Sequence, residues 1–304
     1  MKKSVMRHRF KAPDRYARVS KIHKVKKIMQ KSHMILDVLD ARDIPGTRSA
    51  LIEDFAKKSN KVLLFVINKS DLVPLEKLKE EKRALSGVAP AYFIIATEKK
   101  GLTRLRDGIV KHAKKLPVKI SLVGYPNVGK SQLANALKGK TAARVAPVPG
   151  HTKSIQWISV SKNILLFDSP GIVPLKDNER SLALKGAVNV DLMMDPVRAA
   201  GTVLDTLRTD NKEILLSVYG LEPSVFDLDN NDILGLIAKK RGKLLPGGVP
   251  DLESAAKYIL RDWYKGKLSK YRKDELSVNI KQEPSDAVEE TEPSDEEEEI
   301  DLGD

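Results

Sequence analysis

The stretch KISLVGYPNVGKSQLANAL, residues 119–137, sets an apolar, β-rich run directly before a glycine-containing turn and a helical segment. The turn from Gly124 to Ser131 fits G-x-x-x-x-G-K-[ST], and the strand ahead and helix behind are the context in which that spacing cradles phosphate. Backbone N–H groups of the loop, those of Val128 and Gly129 among them, surround an anion together with the positive end of the helix. Lys130 brings a cation to the terminal phosphates, Ser131 a hydroxyl for Mg²⁺, and Gln132, in the first helical turn, is expected to contact the nucleotide as well. A turn that merely happens to precede a lysine would not have a buried strand on one side and a helix on the other.

The same alternation extends in both directions. MILDVLDA (34–41), KVLLFVI (61–67), AYFIIA (91–96) and ILLFD (164–168) read as strands, with helices expected near 49–58, 75–85, 102–115 and 129–138. Short buried strands separated by helices predict an α/β fold: a mainly parallel sheet with helices on both faces. After Gly171 the strand signals cease, and 179–190, 195–208, 229–241 and 252–266 predict a small α-helical domain. Four parts are expected: a basic N-terminal arm and helix (1–33), the P-loop domain (34–175), the helical domain (176–278) and an acidic, disordered tail (279–304).

Composition narrows the chemistry. The 304 residues contain no cysteine, which excludes disulfides and thiolate metal sites, and five scattered histidines offer no ligand spacing. No stretch approaches the length of a membrane span, and the basic amino terminus does not read as a secretory signal, so a cytoplasmic location and no membrane partner are expected. The net charge of +13 hides a segregation, because residues 282–304 carry twelve acids and no base. Residues 1–33 hold twelve Lys or Arg against the single acid Asp14, with Val19, Ile22, Val25 and Met29 at helical spacing. So basic a body predicts a polyanionic partner, RNA or DNA.

Two further motifs define the ligand. Asp168-Ser169-Pro170-Gly171 ends the ILLFD strand, placing the Asp168 carboxylate beside the metal and the Gly171 N–H against the γ-phosphate. Between this motif and the phosphate loop, Thr152 supplies a second hydroxyl for Mg²⁺. The base-reading motif is Asn68-Lys69-Ser70-Asp71, directly after KVLLFVI. An ionised Asp71 accepts both N1–H and the N2 amino group of guanine, a pairing adenine cannot offer. Lys69 covers the base face, Asn68 ties this loop to the phosphate loop, and the Ala96 N–H is expected at the guanine O6. GTP with Mg²⁺ is therefore the expected ligand.

The order of these motifs is permuted: the guanine motif and the alanine loop precede the phosphate loop. Joining the usual termini through Lys114 to Pro117 and opening the chain after Asp168-Ser169-Pro170-Gly171 keeps every sheet neighbour. In this order, and in Asp40-Ala41-Arg42-Asp43-Ile44-Pro45-Gly46-Thr47-Arg48, Gly247-Gly248-Val249-Pro250-Asp251-Leu252 and the run Leu260 to Lys267, the chain resembles the YlqF/YawG-type circularly permuted GTPases. The resemblance spans roughly residues 15–268. It implies a slow GTPase acting in large ribosomal subunit biogenesis, with ribosomal RNA and the large-subunit precursor as partners, monomeric off the ribosome, and nucleolar in a eukaryotic source. A regulatory GTPase whose main partner is a protein is the alternative. Ile95 departs from the serine usual in the family's alanine loop. Ile172 follows Gly171 where many GTPases place a water-orienting glutamine, so hydrolysis is expected to lean on Lys130, Thr152, Gly171 and Asn127. Asn127 resembles the asparagine with which potassium-activated GTPases hold K⁺. The loop Asp40 to Arg48 is expected to act only as a turn between strand and helix, and Trp263 and Tyr264 as core packing.

Overall fold

The computed structural model describes residues 15–138, 157–168, 182, 184–272 and 275–276. Helix α1 (Arg15–Lys31) leads into β1 (Met34–Asp40), a short α2 (Ile44–Thr47) and α3 (Ala50–Lys58). Then follow β2 (Val62–Asn68), α4 (Leu75–Ser86), β3 (Ala91–Phe93), α5 (Leu102–Lys111), β4 (Val118–Val123), α6 (Lys130–Leu137), β5 (Ile158–Ser161) and β6 (Ile164–Asp168). The six strands form one sheet in the order β3-β2-β1-β4-β6-β5. All pairs are parallel except β5 with β6. The phosphate-loop strand β4 thus lies centrally between β1 and β6, and the strand order reverses around it, which is where open α/β sheets bind ligands.

The predominantly apolar runs of β1 and β2 are explained by burial on both faces. Met34, Leu36, Val38, Ile120 and Leu122 pack towards α5 and α6, against Leu105, Ile109, Leu133 and Leu137. On the opposite face Leu39, Phe65 and Ile67 meet Leu78 and Leu85 of α4. Beside them Val25 and Met29 of α1 pack with Ile35, Ile52 of α3 and Val123. α1 is therefore a layer of the sheet domain, with Lys24, Lys26, Lys27 and Lys31 on its exposed side. Burying side chains like Val25, Ile28 and Met29 contributes about 1.5–3 kcal/mol each, far more than exposed charges do.

Three local expectations differ from the structure. β5 has no sequence signal, because Ile158 and Val160 are only half-buried at the sheet edge; it makes the sheet mixed. The helix expected over 102–115 ends at Lys111, with His112 as its cap. Of the helix expected over 179–190, the described residues 182 and 184 are helical, 185–189 is turn, bend and irregular chain, and Val190–Leu192 is a single 3₁₀ turn capped by Asn189.

The helical unit has its own core, from Val190 to Leu268. Its helices are α7 (Pro196–Asp210), α8 (Lys212–Tyr219), α9 (Asn230–Lys240) and α10 (Leu252–Tyr264). Asp195, Asp229 and Asp251 start α7, α9 and α10, each accepting from a backbone N–H three residues on, the local bond that makes Asp a good N-cap. α8 is an addition to the helices expected from sequence; Asn211, extended at φ −155, breaks the chain between α7 and α8. Its Nδ2 donates to the Ser269 and Tyr271 carbonyls at 3.1 and 2.9 Å. Among the described residues no helix is long and apolar enough to cross a membrane.

One buried group stands apart. Asp37, in the middle of β1, is fully buried, and neither carboxyl oxygen has a hydrogen-bond partner. Burial drives its pKa up to about 8; the Glu53 carboxylate reinforces this, and Lys130 and Arg48 oppose it. The folded carboxyl stays protonated where the unfolded one, at its ordinary 3.8, has ionised. The associated stability is full below the unfolded value and is lost as pH rises towards 8, at up to about 1.4 kcal/mol per pH unit. Asp37→Asn is expected to remove that slope between about pH 5 and 8 in denaturant titrations. Wild-type and variant stabilities that run parallel across this window would refute the assignment.

Candidate nucleotide-binding site

At the carboxyl ends of β2 and β4 the chain opens a cavity of about 660 Å³ lined by Asn68, Lys69, Asp71, Asn127, Gly129, Lys130, Ser131 and Gln132. Sequence positions 60 apart are brought together by the sheet order, since β1 separates β2 from β4 by a single strand. Asn68 joins the loops directly. Its Nδ2 donates to the Val128 carbonyl at 2.8 Å, and its Oδ1 accepts from the Ala96 N–H at 3.0 Å. Gly129 makes this approach possible: it sits at φ +101, and a Cβ there would lie 2.1 Å from Asn68 Nδ2. Val128 itself is buried beneath the loop.

The Ala96 bond corrects one expectation. Its N–H is engaged by Asn68, so it does not face the cavity; Thr97, one residue on, lines the wall instead. The alanine loop is thus displaced by one residue from the sequence reading, and its role in holding Asn68 could not be read from an isolated Ile-Ala-Thr.

Lys130 starts α6, with its ammonium accepted by the Gly124 and Tyr125 carbonyls at 3.2 and 2.6 Å. Asn127 takes a positive φ of 59, and its Nδ2 donates to the Gly186 carbonyl. Asp168 ends β6 and is paired in register with Leu122, two residues before the loop begins. Thr152 and Gly171, the other residues expected at the metal and γ-phosphate, lie outside the described residues, as do residues 1–14 of the arm and Ile172.

The guanine motif is held by a neighbour that the sequence pattern assigns only to a turn. Lys69, at φ +62, is paired with Asp40 at 2.7 Å. Asp40 sits opposite Asn68 in the β1–β2 register, at the same sheet edge. Its carboxylate also receives Arg42 Nε at 2.9 Å and Nη2 at 2.7 Å. Burial alone would raise the Asp40 pKa, but Arg42 and Lys69 outweigh it and hold the carboxyl far below the usual range. Asp40 and Arg42, at the start of the Asp40 to Arg48 loop, therefore support the guanine motif from outside the cavity. Burial pushes Asp71 upwards, with Glu98 adding to the effect and its own backbone N–H, Arg42 and Lys69 opposing.

Leu72, Arg261, Tyr264 and Lys265 complete the wall. The last three come from α10 and the residue after it, nearly 200 positions from the guanine motif, and nothing in their spacing announces this. Trp263 is buried, as expected of core packing, with Nε1 donating to the Leu184 carbonyl at 3.0 Å. Tyr264 is half-buried: it packs against the helical core, as expected, and also lines the cavity.

Comparison with known proteins agrees with this geometry. The family model described as 50S ribosome-binding GTPase matches residues 119–220. A GTP-binding protein of Methanocaldococcus jannaschii is 36% identical over 263 residues, covering 86% of this chain and 69% of that protein. Nuclear/nucleolar GTPase 2 of Oryza sativa subsp. japonica is 39% identical over 280 residues, 89% of this chain and 51% of its own length. Nucleolar GTP-binding protein 2 of Cryptococcus neoformans var. grubii is 38% identical over 256 residues, and the chain spans only 36% of it. The fold is similar to GNP-bound YlqF from T. maritima, with a TM-score of 0.57 and 23% identity, covering 83% of this chain and 96% of that one.

Proposed function

Since the chain belongs to the YlqF/YawG-type circularly permuted GTPases, we propose that it binds GTP in the cavity described above, hydrolyses it slowly, and acts as a switch in large ribosomal subunit assembly. The observation that carries the nucleotide assignment is the Asn68 bridge, which fixes the guanine motif and the phosphate loop as walls of one cavity. Asp71 accepts the two guanine donors, the Lys69 stem covers the base, and the Thr97 N–H takes the O6 position that Ala96 cannot fill. Loop N–H groups and Lys130 hold the β- and γ-phosphates, and the Gly171 N–H meets the γ-phosphate.

Mg²⁺ fits the donors present. Ser131 lines the cavity and Asp168 ends the adjacent strand, both hard oxygen donors. No cluster of three potential metal ligands exists among the described residues, which suits an ion held largely by phosphate oxygens. Ser131, Asp168 and Thr152 would hold it. When bound, Mg²⁺ neutralises charge on the β- and γ-phosphates. Replacing Asp71 by Asn should cut GTP affinity by more than about tenfold, the cost of losing a charged bidentate pair, while leaving the weaker ATP binding unchanged. Equal losses for both nucleotides in a titration would remove Asp71 from base recognition.

With Ile172 after Gly171, the chain lacks the usual water-orienting amide there, so catalysis depends on charge at the β–γ bridge. Asn127 lines the cavity in the phosphate loop, its Nδ2 is committed to Gly186, and its Oδ1 would hold K⁺. Hydrolysis should be faster in K⁺ than in Na⁺ at equal ionic strength, and Asn127→Ala should abolish the difference while GTP still binds. Equal wild-type rates in the two salts would discard the cation.

The partner reading is ribosomal RNA on the large-subunit precursor, supported by the basic body and by the names of the nucleolar relatives. The cytoplasm, or the nucleolus of a eukaryotic source, is the matching location. Residues 1–33, 34–175, 176–278 and 279–304 are read as arm and helix, GTPase domain, helical RNA-binding domain and acidic tail. Because α1 is seated in the core, RNA contacts are better tested by charge than by deletion. Changing Lys24, Lys26, Lys27 and Lys31 to Gln should weaken rRNA binding and reduce its salt slope by up to about four, with GTP affinity unchanged. An unaltered slope would favour a protein partner.

A further inference from the structure

Resting on the nucleotide reading above, we propose that the carboxyl end of α10 is the second jaw of the nucleotide site, and that Asp40 and Arg42 are the positioning residues that set it. A buried chain of polar contacts runs from the guanine motif into the helical unit. Lys69 Nζ meets Asp40 Oδ2 at 2.7 Å, and Asp40 holds the Arg42 fork through both oxygens. The remaining guanidinium nitrogen, Nη1, donates to the Trp263 carbonyl at 2.6 Å. The side chains of Asp40 and Arg42 are 4% and 9% exposed, so water cannot substitute for either partner.

Trp263 connects this chain of contacts to the ligand because its sequence neighbours face the cavity. Tyr264, Lys265 and Arg261 line it together with Lys69 and the phosphate loop. With guanine at Asp71 and phosphates at Lys130, the span between them is the ribose and α-phosphate, and an aromatic ring with the Lys265 ammonium, beside an Arg261 that is paired with Asp191, is a wall suited to it. The jaw is close-packed on the guanine motif: a Cβ on Gly266 would lie 2.5 Å from Leu72, the residue after Asp71. It is also tied to the phosphate loop. Leu184 accepts from Trp263, and two residues on, Gly186 accepts from Asn127.

Both halves of the nucleotide site therefore bear on one helix end, and occupancy by GDP or GTP alike should order it. This differs from coupling through the γ-phosphate, which would distinguish the two nucleotides. The energetic link is the Arg42 fork, whose planar geometry serves Asp40 and the Trp263 carbonyl at once; a lysine keeps the charge but cannot span both.

Hydrogen exchange of the full chain, nucleotide-free and with saturating GDP, tests this. GDP is expected to slow exchange in 252–264 as well as in 118–137. In Arg42→Lys, GDP should still protect 118–137, yet protection of 252–264 should no longer respond to it. Should that variant fail to fold, Lys265→Ala provides the second measurement: GDP affinity reduced severalfold with Tm unchanged. GDP protection of 118–137 without any change in 252–264 of the wild type would overturn the jaw and leave the nucleotide site standing. Protection in neither segment would overturn both readings. A Lys265→Ala affinity equal to wild type would likewise count against the jaw.

Discussion

The carboxamide of Asn68 is the contact on which the site's geometry depends. It is buried, and it satisfies a carbonyl of the phosphate loop and an N–H of the loop after β3 simultaneously. A buried amide left without such partners would cost about 1–3 kcal/mol, so the three loops are held together by the penalty for separating them. Gly129 is what that contact demands of the sequence, since any side chain there would occupy the position of the amide.

The constraint explains why permutation is compatible with function. What the site requires is that β2, β1 and β4 lie side by side with their carboxyl ends aligned, and the observed order supplies this. Chain order enters only through the connections. The link between the guanine half and the phosphate half is the short segment before β4, at the strand end opposite the phosphate loop. The chain after β6, in contrast, leads into the helical unit, whose last helix returns to the guanine motif. The permuted order thereby gives the protein a wall built from a segment that follows the switch region in sequence.

Most of the sheet was legible because its strands are buried on both faces and so read as mainly apolar runs; β5, half-exposed at the edge, carried no such signal. Asn68, Lys69, Asp71 and Lys130, singled out by motif spacing together with the strand before each motif, line one cavity. The bond from the Ala96 N–H to Asn68 was not legible, because it depends on where the Asn68 side chain reaches. Asp40 and Arg42 read as no more than a turn, though one clue was present: Asp40 occupies the last position of β1, and the residue aligned with it across the sheet is Asn68. Arg261, Tyr264 and Lys265 had no clue of this kind, because their place is set by how a separate core docks on the sheet.

The Asp40 cluster also illustrates why a buried ion pair should be read as a device for geometry. Removing charges from water costs several kcal/mol per ion, and the attraction of a pair often only offsets it. Here one carboxylate is shared by two cations that each hold something else as well. Lys69 lines the cavity, and Arg42 holds the Trp263 carbonyl. Well-packed apolar residues could give equal stability at this position, but they would fix neither the lysine in its left-handed conformation nor the helix end above it. The charge cluster specifies two orientations at once, which is what a site assembled from distant segments needs.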